Sequence, residues 1–286
     1  ALLKSKLPAK DRRSVFAGLA GGNIDIIVGT HALFQNSVVY KNLALVVVDE
    51  QHRFGVEQRL NLVKKSGYDN TVPHQLIMTA TPIPRTLAMT AYGDLDTSII
   101  TELPGGRGKI ETIIVPEDKR DQVMSKISKE CTLGRQSYWV CPLIEESEEL
   151  NYQAAESTYD LLQKKLKQLN VGLVHGKLSS VKKIKAMKNF KNGSTNILVA
   201  TTVIEVGVDV SNASVMVIEN AERLGLTQLH QLRGRIGRGE HESICILIYK
   251  KPLSSIAKER LAVIRATNDG FLIAEKDLQL RGPGEL

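Results

Sequence analysis

Cysteine is scarce in this 286-residue sequence, and its pattern argues against two common kinds of cysteine-dependent domain. The three cysteines, Cys131, Cys141 and Cys245, are an odd number and form no Cys-x-x-Cys pair. This pattern favours free thiols in a reducing compartment over a disulfide framework or a zinc site. We therefore predict a cytoplasmic protein.

Long apolar runs are also missing. No run approaches the ~20 residues that a membrane-spanning helix needs. The first eight residues are too short and too interrupted for a signal peptide. We expect no membrane partner. The sequence also lacks an initiating methionine and stops abruptly at Leu286, so we expect it to be a fragment of a longer protein.

The composition is that of an ordinary globular protein, with 42% hydrophobic and 24% charged residues. The length suits roughly two domains of about 150 residues. Lysine and arginine number 38 against 31 acidic residues, which gives a net charge of +7. Such a balance is compatible with a polyanionic partner but does not identify one.

Short apolar runs alternate with amphipathic stretches, which is typical of a parallel sheet with crossover helices. The predicted strands fall into two series: residues 25–29, 43–48 and 75–78, then residues 110–115, 137–141, 171–174, 196–200, 215–219 and 244–249. The continuous apolar runs in the first series predict buried strands. A Pro- and Gly-rich stretch at 103–109 separates the series, and helices are expected from Ser254 onward. We predict an α/β fold with domains at 1–103, 104–250 and 251–286.

Two adjacent acids follow an apolar strand at Asp49 and Glu50. In parallel α/β folds, ligands bind at the carboxyl edge of the sheet, where both carboxylates would lie. In a nucleotide-driven motor, Asp49 would hold Mg²⁺ through its water shell, and Glu50 would orient the attacking water. The alternative is a solvated acidic turn. Thr79 and Thr81 follow the next strand and would lie at the same edge.

Two arginines three residues apart, Arg235 and Arg238, are predicted to share one helical face. Their planar guanidinium groups suit phosphate oxygens, and they could stabilise the charge that develops during hydrolysis. The alternative is a solvated basic face. Gly234, Gly237 and Gly239 count against it, because glycines weaken a helix unless the backbone must approach something closely.

Seven motifs in this sequence resemble those of superfamily 2 helicases, in the same order. They are Gly29-Thr30-His31, Asp49-Glu50-Gln51-His52, Thr79-Ala80-Thr81, Val174-His175-Gly176, Ala200-Thr201-Thr202, Gly207-Val208-Asp209 and residues 231–238. Residues 49–56, 78–87, 228–239 and 277–286 further resemble the RecG-like helicases that act on branched DNA. The resemblance covers nearly the whole chain.

The resemblance implies a role for each matching residue. Asp49, Glu50, Arg235, Arg238, Gly207 and Asp209 would serve ATP and Mg²⁺, with Gln231 beside the two arginines. Gln51, His52, Thr79 and Thr81 would couple hydrolysis to movement. The residues expected against the nucleic-acid backbone are Gly29, Thr30, His31, His175, Gly176, Thr201 and Thr202.

The resemblance also implies two RecA-like lobes, the first incomplete, followed by a truncated helical hairpin. The parent enzyme would be an ATP-dependent helicase that remodels forks and Holliday junctions of duplex DNA in recombination and repair. An Mfd-like transcription-repair translocase is the near alternative, although Gln51 and residues 88–92 favour the RecG-like assignment. A non-catalytic DNA-binding module is a second alternative. Retention of both Asp49-Glu50 and the arginines Arg235 and Arg238 argues against it, because a pure binding module would not need them.

The sequence departs from this family in one respect, because it contains no Gly-x-x-x-x-Gly-Lys-Ser/Thr phosphate loop. Residues 172–177 and 105–109 have glycines followed by lysine, but at the wrong spacing. We therefore expect the isolated fragment to be inactive as an ATPase. A strand of the first lobe would be missing too, so the strand at 75–79 would keep an unpaired edge that favours self-association.

Overall fold

The computed structural model describes residues 1–4, 7–50, 72–79, 96–102, 108–142, 148–201, 210–239 and 242–281. The chain divides into two compact units, Ala1–Ala80 and Thr81–Leu286. The predicted linker begins at residues 103–107, which lie outside the described ranges, so the domain boundary at 103 stays a prediction.

The first unit contains one α-helix and two short parallel strand pairs within its described residues. These elements are β1 (Leu2–Leu3), α1 (Ala9–Gly21), β2 (Val28–Gly29), β3 (Leu45–Val48) and β4 (His74–Ile77). The strand β1 pairs with β2, and β3 pairs with β4. Gly22 ends α1 with a φ of 75°, a left-handed conformation that glycine adopts without steric cost. A small core forms around Leu3, Leu19 and Tyr40.

Burial in this unit differs from the prediction. Leu45 and Val47 of β3 are 57% and 52% exposed, although the run was expected to be buried on both sides. The opposite face of the same strand is covered, since Val46 packs on the core around Leu3. In the described part of the unit no third strand joins β3 and β4. The predicted strand at 25–29 is also shorter, comprising only Val28–Gly29.

The second unit contains a six-stranded parallel sheet. Its strands are β5 (Ile110–Pro116), β6 (Gln136–Val140), β7 (Val171–Val174), β8 (Ile197–Ala200), β9 (Ala213–Ile218) and β10 (Ser243–Tyr249). Their order across the sheet is β5-β10-β9-β6-β8-β7. Each was predicted to within two residues, because continuous apolar, β-branched runs mark strands that are buried on both faces.

Helices cover both faces of this sheet. They are α2 (Arg120–Thr132), α3 (Glu148–Lys165), α4 (Ser180–Lys191), α5 (Leu226–Arg233), α6 (Ser255–Ala266) and α7 (Gly270–Arg281). The helices α2 and α3 pack against Trp139 on one face. The helices α4 to α7 pack on the other face, against Tyr138. Side chains of a strand alternate between faces, so neighbouring residues of β6 serve two different cores.

The two C-terminal helices form the pair that was expected after Ser254. The hydroxyl of Ser254 accepts a hydrogen bond from the amide of Ala257 at 3.2 Å and caps α6. Asp269 accepts one from Phe271 at 2.8 Å and fixes the start of α7. The α/β fold class is confirmed. Among the described residues, no helix combines the length and apolarity needed to cross a bilayer.

Candidate functional site

The acid pair lies directly after β3, as predicted. One carboxylate oxygen of Asp49 accepts a hydrogen bond from the backbone amide of Glu50 at 2.9 Å. Glu50 has a φ of 53°, in the left-handed region that non-glycine residues rarely occupy. Such backbone strain clusters at functional sites, where the surrounding structure holds it in place. The chain therefore fixes the direction in which the Glu50 side chain leaves the strand.

The same edge carries Thr79. The register of the parallel pair places Val48 beside Ile77, and the amide of Met78 donates to the Val48 carbonyl oxygen at 2.7 Å. Asp49 and Thr79 therefore follow neighbouring strands at their carboxyl ends. The other predicted coupling residues, Gln51, His52 and Thr81, lie outside the described residues.

A second edge of the first unit holds Gly29, Thr30 and His31. The amide of Thr30 donates to the Leu3 carbonyl oxygen at 3.3 Å, and His31 begins a short 3₁₀ helix. Thr30 and His31 are exposed. A Cβ atom on Gly29 would lie 2.5 Å from the Leu3 carbonyl oxygen, so only glycine allows β1 and β2 to pair here.

In the second unit, His175 and Thr201 follow neighbouring strands. The register places Val174 beside Ala200, and the amide of Thr201 donates to the Val174 carbonyl oxygen at 3.3 Å. Both side chains are buried, with His175 3% exposed and Thr201 0% exposed. His175 Nδ1 and Thr201 Oγ1 have no hydrogen-bond partner in the described part of the chain. Buried polar atoms without partners are rare in proteins and mark positions that a ligand could satisfy.

The surroundings of His175 favour the neutral form of its imidazole. Burial lowers the pKa of His175 from 6.5, and Lys183 and Lys177 lower it further, whereas Glu156 opposes them. The ring lies 5.2 Å from that of Tyr152. The Tyr152 hydroxyl fills the space beside Gly176, where a Cβ would approach it to 2.5 Å. A larger residue at position 176 would displace this aromatic pair.

The structure corrects the predicted placement of Arg235 and Arg238. The helix α5 ends at Arg233, so the two arginines lie beyond it and share no helical face. The cause is local, since Gly237 has a φ of 76° and turns the chain. A Cβ on Gly239 would lie 2.4 Å from the Ser211 carbonyl oxygen, which confirms that a glycine here serves a close backbone approach. Gln231 lies in the last turn of α5.

Sequence reasoning missed Arg233, which is 2% exposed. Its Nη1 donates to the carbonyl oxygen of Ile264 at 2.6 Å and to Thr112 Oγ1 at 3.2 Å. Burial lowers its pKa. The signal was in the helical spacing, because Leu226, Leu229 and residue 233 recur at i, i+3 and i+7 on one face.

Glu219 was missed as well. It follows β9, which lies beside β6, and the connections that leave these two neighbouring strands run to opposite sides of the sheet. Such a switch point is the usual ligand crevice of open α/β sheets. Glu219 Oε1 accepts from Trp139 Nε1 at 2.5 Å and forms an ion pair with Arg120. Burial raises the pKa of Glu219, although Arg120 and Trp139 act in the opposite direction. Arg120 also donates to Thr158 at 3.3 Å.

The remaining predicted residues, Thr202, Gly207 and Asp209, lie outside the described ranges. Within those ranges, no group of three or more His, Cys, Asp or Glu side chains could hold a metal ion. A cation held mainly by substrate phosphates needs fewer protein ligands, so this finding is compatible with a single carboxylate such as Asp49.

Comparison with known proteins identifies two helicase family domains along the chain. The DEAD/DEAH box helicase family model matches residues 2–90, and the helicase conserved C-terminal domain matches residues 118–240. A solved structure of RecG bound to a three-way DNA junction superposes with a TM-score of 0.73 and 44% identity, covering 99% of this chain and 36% of that one. A Mycobacterium smegmatis Lhr helicase structure, at 18% identity and a TM-score of 0.65, shares the fold.

Two curated relatives cover the same stretch. The ATP-dependent DNA helicase RecG of Escherichia coli K12 is 58% identical over 285 residues, and that of Bacillus subtilis is 54% identical over 286 residues. The chain spans 41% of the length of each. Identity at this level across the whole chain exceeds what a shared fold alone requires, and the chain therefore belongs to the RecG family of helicases.

Proposed function

We propose that this chain is part of the motor of an ATP-dependent DNA helicase that remodels branched DNA during recombination and repair in the cytoplasm. The observation that carries the proposal is the acid pair after β3, where Asp49 binds the Glu50 amide and Glu50 adopts a left-handed backbone. Membership of the RecG family supports the same activity. A RecG relative has been solved on a three-way DNA junction, which supports branched DNA as the partner.

Asp49 and Glu50 have different roles at the nucleotide. Asp49 is exposed, and one of its oxygens is used by the Glu50 amide, which leaves the other for water around Mg²⁺. When bound, Mg²⁺ neutralises the charge of the phosphate oxygens. Glu50 accepts a hydrogen bond from the attacking water and orients it. The fixed backbone at Glu50 holds this orientation, and positioning is the main source of catalysis in phosphoryl transfer.

Two arginines are the proposed cationic residues. Arg235 and Arg238 donate to the oxygens of the transferred phosphoryl group as charge develops on them. Gln231 acts beside these two arginines, and Gly207 and Asp209 also serve the nucleotide.

The residues at the strand ends bind the nucleic-acid backbone. Gly29, Thr30 and His31 do so in the first unit, and His175, Gly176, Thr201 and Thr202 in the second. Neutral His175 and the Thr201 hydroxyl offer polar atoms that have no partner in the described part of the chain. Phosphate and sugar contacts of this kind position a protein without reading sequence. Gln51, His52, Thr79 and Thr81 connect these contacts to hydrolysis.

The test measures steady-state ATPase activity with and without forked DNA. The protein assayed includes this chain and is as long as the RecG relatives. Glu50→Gln keeps the side-chain shape and removes the carboxylate, and we expect turnover to fall by at least about 10²-fold. Glu242→Gln is the matched control, because this glutamate is exposed and outside the motifs. Turnover that ignores DNA, or that survives Glu50→Gln, would contradict the proposal.

We also propose that the 286 residues by themselves hydrolyse no ATP. They contain no phosphate loop, and backbone amides with a loop lysine are what cradle the β- and γ-phosphates in such motors. The ATPase assay on the isolated chain tests this statement. DNA-stimulated turnover above the background of the Glu50→Gln variant would overturn it.

Self-association of the isolated chain is the third element of the proposal. Leu45, Val47 and Leu76 of β3 and β4 are each more than half exposed, and exposed apolar surface of this kind favours association. Light scattering at increasing concentration should reveal a rise in mean mass, and Val47→Lys should suppress it. A constant monomer mass over the whole range would refute this element.

A further inference from the structure

The positive charge of this protein is concentrated in one segment. Residues 161–204 contain nine lysines and no aspartate or glutamate. Outside this segment, 29 arginines and lysines face 31 acidic residues. The segment therefore carries more than the whole net charge of +7, and the rest of the chain is slightly acidic.

The described part of the segment, residues 161–201, folds at one end of the sheet. It includes β7, which is an edge strand, and its neighbour β8, together with α4. The helix α4 packs inward through buried Phe190, with Ala186 and Met187 beside it. Its opposite face is exposed and consists of Val181, Lys182, Ile184, Lys185, Lys188 and Lys191. We call these six residues the basic face.

Among the described residues, the lysines of the basic face have no acidic partners. Elsewhere in the segment Lys165 pairs with Asp121 at 2.5 Å, and Lys177 pairs with Glu149 at 3.1 Å. Within the described ranges, no ion pair forms at Lys182, Lys185, Lys188 or Lys191. Like charges three or four residues apart destabilise a helix slightly. The basic face therefore carries an unneutralised charge at a small cost in helix stability.

The basic face also begins next to two of the residues proposed above to contact the nucleic-acid backbone. Lys183 Nζ donates to the Gly176 carbonyl oxygen at 2.6 Å and so ties α4 to the loop after β7. The Ser179 hydroxyl accepts from the Lys182 amide and caps the helix. A backbone held at His175 and Gly176 could continue along α4 without a break in the positive surface.

We propose that the basic face of α4 binds the phosphate backbone of duplex DNA, as a contact separate from the strand-end residues. A 12-residue helix is about 18 Å long. Over that length a duplex presents about ten phosphates, since it carries one charge per ~1.7 Å of axis. The four lysines, which form no ion pair among the described residues, can neutralise some of these phosphates, and the contact needs no base recognition. The proposal rests on charge and exposure, and it does not depend on the acid pair being catalytic.

The test measures binding of a blunt, labelled duplex of about 20 base pairs to the 286-residue chain across a salt series. Lys185→Gln with Lys188→Gln should weaken binding about tenfold near 0.1 M salt and lower the slope of log affinity against log salt by about 2. The matched control is Lys164→Gln with Lys167→Gln, which removes equal charge from exposed positions at the other end of the segment. An unchanged slope in the α4 variant, or an equal fall in the control, would overturn the proposal.

An acidic protein segment is the competing occupant, and it would use the exposed Val181 and Ile184 as apolar anchors. Ile184→Gln should leave duplex affinity within about twofold, because backbone contacts are electrostatic. Polyglutamate that displaces the duplex at equal charge, with Ile184→Gln weakening polyglutamate binding, would assign the surface to an acidic protein instead. Turnover that survives Glu50→Gln would defeat the proposed motor chemistry and leave these binding results standing.

Discussion

Arg233 Nη1 donates to the main-chain carbonyl oxygen of Ile264 at 2.6 Å, and this bond joins the last turn of α5 to α6. The same nitrogen donates to Thr112 Oγ1 on β5 at 3.2 Å. A single buried guanidinium thus holds three elements that are distant in sequence. Because Arg235 and Arg238 follow α5 directly, the position of Arg233 determines where that segment begins.

Replacing Arg233 by methionine should destabilise the fold. Met fills most of the volume but leaves the Ile264 carbonyl oxygen and the Thr112 hydroxyl without their donor, which costs about 2–4 kcal/mol in unfolding free energy. Urea unfolding monitored by circular dichroism measures this loss. Arg265→Met is the control, since Arg265 is exposed on α6 and should change stability by less than about 0.5 kcal/mol. Equal losses in the two variants would contradict the role assigned to Arg233.

The partly buried carboxylate of Glu219 should give stability a distinct pH dependence. Its pKa in the folded state is raised above the ordinary 4.5, mainly by burial. Between 4.5 and the folded pKa, the folded state binds more protons than the unfolded state, so stability falls as pH rises through this window. Glu219→Gln should remove that slope. Trp139, the single tryptophan and fully buried, reports unfolding by its red-shifted emission.

The comparison is of urea midpoints for the parent and Glu219→Gln at several pH values from about 4 upward. We expect the parent to lose stability relative to the variant as pH increases. The Glu219→Gln variant also lacks the ion pair with Arg120. At pH values well above the folded pKa, this loss changes the difference in stability between the two proteins by a constant amount. A difference that does not change with pH would show that the Glu219 pKa is the same in both states.

The three thiols should be inert in the folded protein. Cys131, Cys141 and Cys245 are buried, and burial raises the pKa of each to about 12. At pH 8 the thiolate fraction is then about 10⁻⁴, and the thiolate is the reactive form. A chromogenic disulfide reagent should label none of them rapidly in buffer and all three in urea. Fast labelling of any thiol in buffer would identify a cysteine that the fold exposes.

Much of the second unit could be predicted from sequence, because strands buried on both faces need continuous apolar runs. The run at 197–200 is one of these, and it is buried throughout. The same rule failed for Leu45 and Val47, since a run does not encode whether a further layer covers it. The acid pair was predictable from position alone, whereas the left-handed backbone of Glu50 has no sequence signal.

The positions and burial of the arginines were also hard to predict from the sequence. The spacing of Arg235 and Arg238 indicated one helical face, but Gly237 ended that regularity. Arg233 has the same chemistry and is buried, because long-range partners on β5 and α6 satisfy it. Local patterns predict elements well, and they predict poorly which charged side chain the tertiary structure will bury.

His175 should make stability depend on pH in the direction opposite to Glu219. Its folded pKa lies below the ordinary 6.5 because of burial, so between those two values the unfolded state binds more protons. Stability should therefore fall as pH decreases below about 6.5. His175→Gln should flatten this part of the curve.

Glu156→Gln keeps the imidazole and removes the carboxylate that raises its pKa, so the slope should extend to lower pH. Urea midpoints between pH 5 and pH 8 decide the matter, and parallel curves for all three proteins would show that His175 titrates alike in the folded and unfolded states.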